Sequence, residues 1–322
     1  MADYVFYRFD INTTGNKRLL DESVPEGTKI DQQWLINRIR ECMKKGAEWQ
    51  VPNAKGEPRT VEVHHALDNV AILYAYTAQK KEVYERGKDK PTNYTSEPHC
   101  TVVLDMRQDY LIAAVEKSSF FNSSTENPMY MVLDAIANIV EVIGKLDAHC
   151  MYHKGKFWDV VHYRMEVLND IVRSVTFHFG KDADQAKASE KVRGLMSFCM
   201  GQGGGAGEFT RKSASDTEGM AMRQEDYDEL VMLCESNKEY GLSVKFRDCG
   251  AYRVGRLARY FYRMPTGTVE RFVNKQLSTS ENSDYTWDIV EWLDNLLRRD
   301  GEYEFKCIQK DYEKGHKKRK AA

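Results

Sequence analysis

Apolar positions recur along this chain with two different periods, and the changes of period mark its elements. From residue 4 to residue 11 aromatic and aliphatic residues alternate, which predicts an opening strand with Val5, Tyr7, Phe9 and Ile11 on one face. Trp34, Leu35, Ile39 and Met43 then follow helical spacing behind Asp31, a candidate cap, and Gly46 ends that helix. Strands are predicted over 60–65 and 70–77, and the polar stretch 80–98 reads as an exposed loop. Residues 100–105 and 110–116 form a predicted hairpin around Met106-Arg107-Gln108-Asp109. Asn127 and Pro128 open a helix to about 145 that is apolar nearly all round, so it should be buried.

Residues 146–168 have no settled period, and a domain boundary is placed there. Beyond it come a strand over 172–179, a helix over 184–199 and a glycine run at 201–207. A short strand over 208–212, a helix over 224–238 and a strand over 242–246 follow. A helix over 284–299, with Trp287, Val290, Leu293, Leu296 and Leu297 inward, precedes a last strand over 303–308. Strands grouped early and alternating with helices later predict an α+β fold of mixed, largely antiparallel sheets packed by helices. The expected domains are 1–155, containing the buried helix 128–145, and 156–312, with a basic tail at 313–322.

The composition is that of an ordinary globular chain, 42% hydrophobic and 30% charged, with a formal net charge of -2 over 322 residues. No stretch approaches the roughly 18 consecutive apolar residues of a membrane span, and MADYVFYRFD lacks the order of a signal peptide, so the cytoplasm is the expected location. The seven cysteines are odd in number and include no C-x-x-C pair, which reads as reduced thiols.

Charge changes the picture most in LSVKFRDCGAYRVGRLARYFYRMP, residues 242–265. Lys245, Arg247, Arg253, Arg256, Arg259 and Arg263 face one acid, Asp248, in a chain that is otherwise near neutral. Wound at about 100° per residue, 251–264 places Val254, Leu257, Ala258 and Phe261 on one face, with the arginines, Tyr252 and Tyr260 largely opposite. The expectation is a basic amphipathic helix that stops before Pro265 and meets phosphates through its arginines while the tyrosines stack. Lys317, Lys318 and Arg319 in the tail would add non-specific phosphate affinity. The alternative is a solvated face paired with acids such as Asp284, Asp288, Glu291 and Asp294.

Other constellations carry less. The glycine run follows a predicted helix and Thr210-Arg211-Lys212 reverses the Walker order, so it reads as a connector. His149 and His153 would share a helix face but lack further ligands, and His64-His65 point to opposite faces of a strand, so no metal or cofactor is expected. Glu304-Phe305-Lys306 matches half of a nuclease pattern that would need another acid, Asp288 or Asp300. Glu116-Lys117 lacks the intervening residue, and no G-x-S-x-G is present.

The opening YVFYRFDI, the hairpin VVLDMRQDYLIAAVEK and the helix-strand unit over 225–246 resemble bacterial phage-defence DNA-binding proteins, a group that includes the DNA-binding subunit of Kiwa-type systems and lambda-type phage-exclusion protein A. The resemblance implies a cytoplasmic accessory protein that binds DNA without cutting it; it assigns no individual residue. Sequence therefore favours a non-catalytic nucleic-acid-binding protein, with DNA as the expected ligand. A metal-dependent nuclease built on Glu304 and Lys306 and an oligomeric or protein-interaction subunit, a homodimer or the partner of an acidic protein, are the alternatives.

Overall fold

The structure is a computed structural model and describes residues 2–11, 32–52, 58–67, 69–83, 92–140, 146–183, 188–200, 206–215, 217–264, 293–295, 298 and 301–308. Backbone contacts divide the chain into one unit of residues 1–152 with 259–322 and a second of residues 153–258. The second is thus an insertion in the first. The sequence places a single boundary at 155/156; the contacts place crossings at 152/153 and 258/259, so that 259–264 return to the first unit.

In chain order the first unit begins with β1 (Ala2–Ile11), α1 (Gln32–Cys42), β2 (Glu48–Pro52), β3 (Pro58–Leu67) and β4 (Val70–Tyr76). It continues with β5 (Gln79–Val83), β6 (Thr92–Ser96), β7 (His99–Asp105), β8 (Leu111–Glu116), α2 (Glu126–Val140) and β9 (Leu146–His153). The insertion carries α3 (Phe157–His162), which runs into a π-helical turn over Tyr163–Val167, then β10 (Val172–Phe179), α4 (Glu190–Met200), β11 (Gly207–Lys212), α5 (Gln224–Ser236), β12 (Tyr240–Phe246) and β13 (Ala251–Arg253). Strands β14 (Phe261–Met264) and β15 (Tyr303–Cys307) complete the first unit.

The expected α+β fold is present. In the first unit the sheet order is β15-β9-β1-β8-β7-β4-β3-β2, with β14 pairing the start of β1. Strands β2, β3, β4, β7 and β8 pair antiparallel in that order, and β1 closes the series by pairing antiparallel to β8. Its central strands are buried on both faces. Val5, Phe6, Tyr7, Val102, Val103, Leu104, Ala113 and Ala114 exclude solvent completely, which explains why they read as nearly continuous apolar runs. Helices α1 and α2 bury Leu35, Ile36 and Ile39 and Met129, Val132 and Ile136. Each such side chain contributes about 1.5–3 kcal/mol when fully buried. The Tyr7 hydroxyl, 2.7 Å from Thr125 Oγ1, ties β1 to the start of α2.

Three expectations need correction. The polar stretch 80–98 is not a plain loop, because β5 and β6 pair as a hairpin between β4 and β7. Residues 146–153 form a strand, so His149 and His153 do not share a helix face. Residues 251–264 do not form a helix: β13 ends at Arg253, Gly255 turns the chain at φ +73°, and β14 begins at Phe261. A residue in the left-handed region cannot sit inside a right-handed helix. The supposed apolar stripe accordingly comes apart, with Val254 and Ala258 buried and Leu257 52% exposed.

The insertion is held by one buried carboxylate. Asp170, only 3% exposed, accepts backbone N–H groups from Ile171 at 2.8 Å, Asp248 at 3.0 Å and Cys249 at 2.7 Å. It pins the β12–β13 turn to the residues that lead into β10. Buried Arg164 lies over the rings of Phe246 at 5.0 Å and Tyr252 at 5.3 Å, filling the space below. Replacing Asp170 by Ala removes the acceptor for three donors, each worth about 1–3 kcal/mol when left unsatisfied in the interior. D170A is therefore expected to lose about 3 kcal/mol or more in denaturant unfolding, and D170N, which keeps one acceptor oxygen, to lose less; a loss below about 1 kcal/mol for D170A contradicts this role.

Candidate nucleic-acid interface

The insertion's sheet has the order β11-β10-β12-β13, all antiparallel. Its two faces differ sharply because β10 alternates: Val175, Phe177 and Phe179 are buried, while Ser174, Thr176 and His178 are not. The apolar face continues through Leu242, Val244 and Tyr252 and is covered by helices, since Phe157 of α3 stacks on Tyr252 at 5.4 Å and Trp158 Nε1 donates to Asp228 of α5 at 2.7 Å. The other face is open among the described residues.

Register sets the open face in rows across the strands. Lys212, Ser174 and Lys245 are partners in one row. Thr210, Thr176, Ser243 and Arg253 are partners in the next and span all four strands. Thr176 and Thr210 hydroxyls lie 3.0 Å apart. Strands about 4.8 Å apart thus present a band of hydroxyls with ammonium groups at Lys212 and Lys245, both exposed, and a guanidinium at Arg253.

The third row brings Glu208, His178 and Gly241 together. The imidazole of His178 lies across Gly241, where any Cβ would collide with its Cε1 and Nε2. That crossing lets Arg253 Nη2 reach His178 Nε2 at 2.7 Å. A guanidinium only donates, so Nε2 accepts and the ring is neutral with its proton on Nδ1. Burial, and then the charge of Arg253, lower the His178 pKa below its usual 6.5. Beside this row an open depression of about 700 Å³ is lined by His178, Gly180, Glu208, Lys238 and Glu239.

The residues expected to form a helical site are distributed between the units. Lys245 and Arg253 share the open face, and Arg256 is exposed in the turn after β13. Arg247 pairs with its neighbour Asp248 at 3.2 Å. Tyr252 is 6% exposed in the apolar core of the insertion and Tyr260 is fully buried in the first unit, edge-on to Tyr303 at 6.0 Å. Neither can stack on a base. Arg263 pairs with Asp3 at 2.8 Å, both side chains 10% exposed. Arg259 pairs with Glu126 among Tyr7, Cys150 and Tyr152; burial opposes its charge, but these neighbours outweigh burial and hold its pKa above the usual value. Burial pushes the Cys150 thiol and the Tyr152 phenol up to about 12. Lys317, Lys318 and Arg319 lie outside the described residues.

The remaining constellations are engaged structurally. Glu304 Oε1 and Lys306 Nζ pair with each other at 2.7 Å, and Asp288 and Asp300 lie outside the described residues. Of the acids proposed to cover the arginines, Asp294 pairs with Arg107 at 2.9 Å instead, and Asp284 and Glu291 lie outside the described residues. His64 stacks on Tyr74 at 4.2 Å, and His149 Nδ1 lies 3.3 Å from Asp10. Among the described residues no cluster of three or more His, Cys, Asp or Glu side chains is placed to hold a metal. No described helix is long and apolar enough to cross a membrane. The glycine run is described only from Ala206, and Gly207 opens β11.

No family model, curated protein or solved structure matches the chain.

Sequence reasoning missed Lys212, Ser174, Thr176, His178, Thr210 and Ser243. The alternation over 172–179 already marks one polar edge, but only the pairing of β10 with β11 and β12 brings it beside Lys212 and Lys245. His178 provides a check on that geometry. Its NMR titration midpoint should lie below 6.5 and move part of the way back in R253A, since burial persists and only the neighbouring charge is removed. An unchanged midpoint in R253A contradicts the contact.

Proposed function

We propose that the protein binds nucleic acid without cutting it, and that the open face of the β11-β10-β12-β13 sheet meets the phosphate backbone. The observation that carries this is the pair of adjacent rows, Lys212-Ser174-Lys245 and Thr210-Thr176-Ser243-Arg253. Ammonium and guanidinium groups supply charge, and hydroxyls donate to phosphate oxygens between them. With Tyr252 and Tyr260 buried, the interface rests on phosphate contacts, and neither of these two rings offers a platform for bases.

Charge segregation within the insertion supports the same assignment. Helix α5 carries Glu225, Asp226, Asp228, Glu229 and Glu235 and no lysine or arginine over Gln224–Ser236. Its Tyr227, Val231 and Leu233 are buried, and it packs against β12 from the apolar side. A nearly neutral chain thereby offers a polyanion a local basic surface, and the acidic side disfavours the opposite docking orientation. DNA is the ligand implied by the resemblance to phage-defence proteins, and the chain would act as the DNA-contacting member of such a system.

Counterion release gives the quantitative test. Each phosphate contact removed flattens the dependence of log K on log salt by about 0.9 for duplex and about 0.7 for single strands. K212A/K245A should lower the slope by roughly two contacts' worth and weaken binding across unrelated sequences, for DNA or RNA alike. Arg263→Ala, which breaks a pair inside the first unit, should leave the slope unchanged. Wild-type affinity and slope in a folded K212A/K245A protein would overturn the proposal.

A further inference from the structure

The insertion's sheet ends at β11, which pairs with β10 along one edge and with no strand along the other among the described residues. Such an edge presents a row of backbone N–H and C=O groups that can pair with another strand. Charged residues on an edge normally block this, and β11 carries three in six residues, Gly-Glu-Phe-Thr-Arg-Lys. Their order is what matters.

Set antiparallel to itself about Thr210, this hexapeptide is self-complementary. Glu208 comes opposite Lys212 twice, Phe209 opposite Arg211 twice, and Thr210 opposite its own copy. Opposite charges directly across a ladder attract, and an arginine over an aromatic ring adds a cation–π contact. The backbone accommodates this register whichever alternate groups point outward. If those of Phe209 and Arg211 do, they form the hydrogen-bonded pairs; if those of Glu208, Thr210 and Lys212 do, these form them.

We propose that two copies of this chain associate through the outer edges of β11, joining their four-stranded sheets into one of eight strands. Antiparallel pairing of identical strands places the two-fold axis normal to the sheet, so both open faces lie on the same side and Lys212 of each copy adjoins Glu208 of the other. Apolar surface next to the edge fits the same occupant. Phe209 is 44% exposed on β11, and Phe198 is 82% exposed on α4, the helix that packs against β11. A second copy brings its own α4 to that place. Unrelated strands would bring no matching charges, so the same residues that favour a second copy exclude others. The pairing stands whatever the open face binds.

Sedimentation of the full chain across a concentration series tests this. The wild type should dimerise. E208K places like charges opposite each other at both symmetric positions, and so does K212E; each should weaken the dimer by about tenfold or more. Mixing E208K with K212E restores both attractive pairs in a heterodimer, and E208K/K212E restores them within one chain, so both samples should regain near wild-type association. Thr210→Cys should form a disulfide-linked dimer on mild oxidation, whereas Ser197→Cys on the exposed side of α4 should do so less. A wild type that stays monomeric at the highest concentration reached, or charge variants whose association is not restored by mixing, would overturn the proposal.

Discussion

The antiparallel pairing of β10 between β11 and β12 is the constraint on which the rest of the insertion depends. Side chains of a strand alternate between faces, so one register simultaneously buries Val175, Phe177 and Phe179 and exposes Ser174, Thr176 and His178. A slip of one residue would exchange the two sets and put hydroxyls in the core. Register here is therefore fixed by burial, and the polar rows of the open face follow from it. Asp170 secures the far end by collecting the N–H groups of the β12–β13 turn, which keeps Arg253 level with Ser243.

The arginine-rich stretch shows how far local pattern can mislead. Its residues have the spacing of an amphipathic helix, yet the chain crosses from one unit to the other inside it, between Ala258 and Arg259. Tyr152 bridges Arg259 within the first unit, and His153 donates to Ala258 within the insertion at 2.9 Å. Gly255 provides the left-handed turn that ends β13, and aromatic Phe261 and Tyr262 continue as strand against Val5 and Tyr4. Arg259 and Arg263 then serve to neutralise Glu126 and Asp3 in the first unit. Only Lys245, Arg253 and Arg256 stay with the insertion as candidates for phosphate. Charge counted along the chain overstates the site because it cannot register these partners, which lie more than a hundred residues away in sequence.

Long periodic segments were legible from sequence alone. The strands over 4–11, 70–77, 100–105 and 172–179 and the helices beginning near 32, 126 and 224 all lie where alternation or helical spacing put them. Those signals are local and each is repeated over several residues. What sequence did not carry was non-local: the order of strands in each sheet, the return of 259–264 to β1, and the pairing that lines Lys212 up with Lys245 through Ser174. The β5–β6 hairpin was missed for a different reason, since its strands are polar and bounded by residues that read as loop. Of the candidate site only Lys245 and Arg253 were thus visible as residue types, and its geometry only as a sheet.

In the proposed interface phosphate meets the open face of the insertion's sheet and not the arginines held in the first unit. Lysine acetylation read by mass spectrometry, with and without a bound oligonucleotide, addresses this most directly. Lys212 and Lys245 should lose reactivity when nucleic acid is bound, while Lys191, exposed on α4, should react equally in both states. Equal modification of Lys212 and Lys245 in the free and bound protein would contradict the account.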